Sequence, residues 1–203
     1  MMTNDTATEN RLRRGHLVVI VGASGAGKDT LIAYARNRLD LHEDVYFVRR
    51  VITRARDCGG EDHDAVSRAE FDRMSEAGRF AVNWQAHGLH YGIPSEAQDR
   101  IALGKLVIAN GSREALPRFR AVFPSLTVVN ITARPEILAT RLEKRGRETH
   151  AEVLQRLKRR AVLLPVDDGI VTIDNSGSID DAGTALVNVL ARFLPIQDEP
   201  KQT

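Results

Sequence analysis

An α/β fold, with a parallel sheet covered by helices on both faces, follows from three features of this sequence. Apolar strand-like runs alternate with helical segments, the arrangement that produces parallel sheets. The run Leu106–Ala109 is apolar without alternation, as strands buried on both faces are, and Leu126–Ile131 repeats that strand character. The first run, Leu17–Val21, leads directly into Gly22-Ala23-Ser24-Gly25-Ala26-Gly27-Lys28-Asp29-Thr30, with the spacing G-x-x-x-x-G-K. Strand, glycine loop and helix in that order predict a phosphate-binding loop at the carboxyl edge of the sheet.

The elements follow in order. After the loop, a helix is expected from about Asp29 to Arg38. Val45–Thr53 reads as one extended segment. Residues 54–66 are polar, contain Gly59-Gly60, and suit a substrate loop. Ser67 and Glu70 have capping-box spacing for a short helix through Met74. Phe80–Trp84 reads as extended, and Gly92-Ile93-Pro94-Ser95 as a turn into a helix ending near Gly104. Pro135 suits the first turn of a helix. Gly169–Asp174 reads as the last strand. Ser178 and Asp181 open a final helix with an apolar stripe of Ile179, Ala182, Leu186, Val189, Leu190 and Phe193.

The chain has 203 residues, enough for one α/β domain with a small lid. A hydrophobic fraction of 42% supports a packed core. A net charge of +2 gives no reason to expect nucleic acid as a partner, and no apolar run approaches a membrane span. Residues 1–14 are polar and read as a loose tail without an apolar signal core, as does the tail from Gln197. One domain is expected over 15–196, with an acceptor region at about 45–95 and a lid at about 141–160. The single cysteine, Cys58, rules out an internal disulfide and fits the cytoplasm. A homodimer is compatible with the sequence.

The glycines let backbone N–H groups converge on phosphate oxygens, the helix start adds partial positive charge, and Lys28 adds a full one. The residue after the lysine departs from the pattern. That slot is usually Ser or Thr facing magnesium, but here it is Asp29, with Thr30 supplying a hydroxyl one residue later. Asp29 reads either as a helix-start acid favoured by the dipole or as a carboxylate toward Mg²⁺, directly or through water. A bare carboxylate beside phosphates favours the second reading.

Residues 141–160 carry eight basic residues, including Arg141, Arg145, Arg147 and Arg156, against three acidic ones. Beside a phosphate loop, this pattern reads as a lid that closes over the donor and excludes water; alone, it would read as a solvated face. Arg49, Arg50, Thr53, Arg54 and Arg56, followed by Glu61 and His63, suit an acceptor that carries its own phosphate. A charged edge strand is the plainer alternative. Trp84, His87, His90 and Tyr91 form a third group, read as core or rim aromatics without a metal-ligand pattern. Asn175-Ser176-Gly177 reads either as a rim for the nucleotide base or as a simple strand-to-helix turn.

These motifs together resemble the guanylate-kinase-like branch of the P-loop kinases over about residues 15–194. More closely, the chain resembles the ribose 1,5-bisphosphate phosphokinase family of bacterial phosphonate degradation. The shared stretches are K-D after the loop, V-I-T-R at 51–54, G-G-E-D-H at 59–63, W-Q-A-H-G-L-H-Y-G-I-P at 84–94, N-G-S-R at 110–113 and R-G-R-E at 145–148. The chain departs from guanylate kinases in two places. Counting back from Tyr91-Gly92, the position of their guanine-reading glutamate falls on Val82, which cannot accept hydrogen bonds from the base. The strand Leu106–Ala109 also lacks their acidic residues.

The resemblance implies a P-loop kinase fold and ATP-dependent phosphorylation of ribose 1,5-bisphosphate to 5-phosphoribosyl 1-diphosphate, with the 5-phosphate as the expected acceptor. It implies ATP and Mg²⁺ as cofactors, held by Gly22, Ala23, Ser24, Gly25, Ala26, Gly27, Lys28, Asp29 and Thr30, with Asp29 toward the metal. The acceptor site is expected from Arg49, Arg50, Arg54, Glu61, His63, Tyr91, Asn110, Ser112 and Arg113. Lys28, Asp29, Arg145, Arg147 and Arg156 are the expected catalytic residues. A guanylate or other nucleoside monophosphate kinase is the alternative, and a non-catalytic binding module is a more distant one. The expected partner is a small phosphorylated sugar.

Overall fold

The computed structural model describes residues 15–55, 61–143 and 169–194. Both predicted tails lie outside this range, as do Arg56, Cys58 and most of the expected lid, including Arg145, Arg147 and Arg156.

The central sheet is parallel. Strand β1 (His16–Gly22) lies between β7 (Leu106–Asn110) and β8 (Leu126–Thr132). β2 (Val45–Phe47) and β9 (Ile170–Asp174) complete the order β2-β7-β1-β8-β9. The apolar runs Leu17–Val21 and Leu106–Ala109 lie in the central strands β1 and β7 and are buried, as expected for strands covered on both faces.

Side chains on β1 alternate between two cores, following the twofold period of a strand. Val18 and Ile20 pack with Leu31 and Ala35 of α1 (Lys28–Leu39) and with Leu186 and Leu190 of α6 (Ile179–Ala191). Leu17, Val19 and Val21 face the other way, toward Val82 and Trp84 of β5 (Phe80–Ala86), Ala97 of α3 (Glu96–Ala102) and Phe119 of α4 (Leu116–Val122). Both capping serines act as predicted. Ser67 Oγ accepts from Glu70 N–H at the start of α2 (Arg68–Glu76), and Ser178 Oγ accepts from the Asp180 and Asp181 N–H groups. α5 (Pro135–Glu143) begins at its proline.

Three expectations need correction. Val45–Thr53 is not one strand: β2 joins the parallel sheet, whereas β3 (Arg50–Ile52) joins a second sheet with order β4-β3-β6-β5, in which β4 (His63–Ala65) lies within the stretch expected to be a loop. Gly92–Pro94 is not a turn but the end of β6 (Leu89–Pro94), antiparallel to β5. The turn lies earlier, at His87-Gly88, where both residues have positive φ. Ile179 is half exposed and drops out of the buried stripe, while Gly183 enters it.

Gly183 lets α1 and α6 approach closely. A Cβ there would lie 2.4 Å from Tyr34 Cδ1. The Tyr34 hydroxyl is tied to Asp180 O and Thr184 Oγ1, so the ring has little freedom to retreat. Gly183→Ala is therefore expected to cost about 1–3 kcal/mol through overpacking, measured by urea denaturation.

Candidate active site

The level register of the sheet brings the site together. Ile20 pairs with Asn110, and Gly22 with Ile131, so three strand ends meet the glycine loop at one edge. The loop closes through Ala26 N–H donating to Ala23 O, and α1 starts from Gly27 in the left-handed region. Gly25 and Ala26 are buried, Ser24 and Thr30 are exposed, and Gly22, Ala23, Gly27, Lys28 and Asp29 are intermediate.

Lys28 bends back over the loop, donating from Nζ to Gly22 O at 3.0 Å and Ala23 O at 3.2 Å. Burial lowers its pKa to about 8. Asp29 and Glu61 offset part of that shift, while Arg50 and Arg113 add to it. Phosphate oxygens beside Nζ would restore the charge. Nucleotide binding at pH 9 is therefore expected to take up about one proton, and almost none at pH 6.5. Isothermal titration calorimetry in buffers of different ionisation enthalpy reads this directly. The sign is fixed: affinity falls as pH rises above about 8, because the free protein must first protonate Lys28.

Asn175 supports the loop from the end of β9. It is 2% exposed, and its Nδ2 donates to Ala26 O at 2.8 Å. Arg141 Nη2 donates to Asn175 O at 3.0 Å. Asn175 thus supports the loop, a role the sequence offers no signal for.

The acceptor-side residues gather around a charged network. Arg50 is buried and pairs with Glu61 through Nε to Oε2 at 3.0 Å and through Nη2 to Oε1. Its guanidinium lies 5.0 Å from the Tyr91 ring centroid and 5.6 Å from that of Trp84, and the two rings stack 5.3 Å apart. Asn110 Nδ2 donates to Asp29 Oδ1 at 2.8 Å and to Glu61 Oε2 at 3.0 Å. Loop and acceptor side therefore share one amide. Arg113 opens a turn just after β7, close enough to act on Lys28, with the part-buried Ser112 before it.

Other expected ligands are differently placed. His63 is 2% exposed, with Nδ1 2.9 Å from Glu61 O and Nε2 3.0 Å from Arg54 O. Its ring thus bridges the backbone of residues 54 and 61. Arg49 pairs with Asp62 and Asp64, each at 3.1 Å. Arg54 lies with Nη2 3.4 Å from His63 Nδ1, and its buried Nε has no hydrogen-bond partner among the described residues. No group of three or more metal-ligating His, Cys, Asp or Glu occurs among the described residues.

Residues 18–161 match a family model described as an AAA domain. The fold is similar to that of guanylate kinase from Anaplasma phagocytophilum, with a TM-score of 0.64 and 20% identity over 91% of this chain and 89% of that one. A ribose 1,5-bisphosphate phosphokinase PhnN of Agrobacterium fabrum is 54% identical over 86% of this chain and 95% of its own length. The protein of the same name from Rhizobium etli is 49% identical over 95% of this chain and 98% of its own length. With a guanylate-kinase-like fold, a phosphate loop and identity sustained over almost the whole of these relatives, the chain belongs to the ribose 1,5-bisphosphate phosphokinase PhnN family.

Proposed function

We propose that this protein transfers the γ-phosphoryl group of ATP to ribose 1,5-bisphosphate, giving 5-phosphoribosyl 1-diphosphate and ADP in phosphonate breakdown. The acceptor position follows from atom balance. A product with its diphosphate on C1 requires attack by an oxygen of the 1-phosphate. The 5-phosphate expected from the sequence as acceptor is instead a spectator that the site must hold. The new bond joins that oxygen to the γ-phosphorus, and the bond from the γ-phosphorus to the bridging oxygen of ADP breaks. A phosphate acceptor is already anionic near neutral pH, so no general base is needed.

In this reading the loop N–H groups and Lys28 hold the donor phosphates. Arg54 and Arg113 are the candidates to grip acceptor phosphates, and Arg50 orients Glu61 and Tyr91. Arg145, Arg147 and Arg156, outside the described residues, would stabilise the transferring charge. The oxygen chemistry of Asp29 at the loop fits Mg²⁺, which would neutralise charge on the phosphates when bound. No helix among the described residues is long and apolar enough to cross a membrane, and we assign the reaction to the cytoplasm.

The observation that favours a sugar over guanine is the inner face of β5. Val82 and Trp84 are 3% and 5% exposed in an apolar cluster with Ile93 and Ala97, so the expected base-reading position is core. A panel of acceptors tests this, with ADP release measured for ribose 1,5-bisphosphate, ribose 5-phosphate, AMP and GMP. Turnover with the bisphosphate alone is expected; turnover with GMP alone would refute the proposal.

A further inference from the structure

Strand β7 ends in Asn110, without an acidic residue, yet a second carboxylate still reaches this edge. Glu61 arrives from the other side of the site and is held by Arg50 with Oε2 turned toward Asn110. The two Nδ2 protons of Asn110 are spent on Asp29 and Glu61. Asn110 is 5% exposed, and its Oδ1 is buried without a hydrogen-bond partner among the described residues. A buried amide oxygen without a donor is costly and calls for a missing partner.

The three groups suit one chemistry. Magnesium takes oxygen ligands, commonly one or two carboxylates together with nucleotide phosphates and water. Two carboxylates converge on a single amide, and turning that amide over would bring its unpartnered oxygen to the same side. Such a turn is favourable only if a cation lies between the carboxylates, since three oxygens would otherwise repel. We propose that Glu61 is the second protein carboxylate facing the nucleotide's divalent cation, beside Asp29, and that the Asn110 amide spans the pair before the ion arrives. This rests on reading the glycine loop as the ATP site.

Local charge dictates how the ion enters. Lys28, Arg50 and Arg113 outnumber Asp29 and Glu61 around the loop. The pocket is net positive, so a bare cation is repelled, and one carried by nucleotide phosphates is not. Metal alone therefore binds weakly.

Manganese, as a paramagnetic substitute for magnesium, tests this with a non-hydrolysable ATP analogue and no acceptor present. Electron paramagnetic resonance reads free Mn²⁺. In Glu61→Gln, Mn²⁺ affinity in the nucleotide complex is expected to fall at least about tenfold, with metal-free nucleotide affinity unchanged within about twofold. A measurement on the unaltered protein decides the matter even if that variant folds poorly. The Asn110 side-chain amide signals in ¹⁵N NMR should shift with the magnesium–nucleotide complex, and not with nucleotide in EDTA. Unchanged Mn²⁺ affinity in Glu61→Gln, with a loss in Asp29→Asn, would overturn the assignment of Glu61. No loss in either variant would overturn Asp29 as well. A failure of the sugar assignment would show only in the acceptor panel.

Discussion

Replacing Lys28 by methionine is expected to lower kcat by about 10²–10³-fold while leaving stability within about 1 kcal/mol of the parent protein. The two outcomes have separate causes. In the proposed reaction the ammonium lies beside the donor phosphates, and negative charge spreads over the transferring group. No other described side chain donates into the loop from within it. In the free protein, however, the hydrogen-bond partners of Lys28 among the described residues are two backbone carbonyls, and its surroundings lower its pKa to about 8. Folding gains little from such a group, and an apolar side chain of similar length fills the same space. Single-turnover kinetics and urea denaturation of the same preparation separate the two effects. An equal loss of rate and stability would show Lys28 to be structural.

Gly27→Ala is expected to destabilise the protein by about 2–4 kcal/mol and to abolish nucleotide binding. Gly27 has φ +89°, and a Cβ there would lie 2.3 Å from Asn175 Nδ2. The backbone strain is only part of the cost. Asn175 would have to withdraw from Ala26 O, leaving a buried amide and a buried carbonyl unpaired. Gly177→Ala serves as the control. A Cβ at Gly177 would meet nothing within 4 Å, so that change should stay within about 0.5 kcal/mol. Urea denaturation with and without an ATP analogue checks both variants.

Much of the fold was legible because its signals are local. The apolar runs at Leu17 and Leu106 became the buried strands, with the mixed run at Leu126 beside them, and Ser67, Pro135 and Ser178 mark helix starts as their chemistry requires. The division at Val48-Arg49 was hidden, since no turn residue marks where the chain leaves one sheet for the other. The His87-Gly88 turn could have been found: a glycine follows a polar residue between two extended stretches. Gly92 and Pro94 carry a competing turn signal. These two instead close β6, where Gly92 lies beneath the Phe80 ring.

For the site, the glycine loop was readable from spacing alone. The network around it was not. Asn110 joins Asp29 and Glu61 across 81 and 49 residues of sequence, and Asn175 reaches Ala26 across 149. Such contacts depend on strand order and register, which no local pattern encodes. The same reason accounts for His63, whose polar neighbours suggested a ligand, while folding turned both its ring nitrogens onto backbone carbonyls.

Phosphorus NMR of ribose 1,5-bisphosphate incubated with the protein, ATP and magnesium tests the central claim most directly, with GMP run in parallel. The expected spectrum contains two coupled diphosphate signals on C1, an unchanged 5-phosphate monoester, and no GDP from the parallel sample. GDP formation with the sugar unaltered would contradict the sugar kinase assignment and make β5, despite Val82, part of a guanine site.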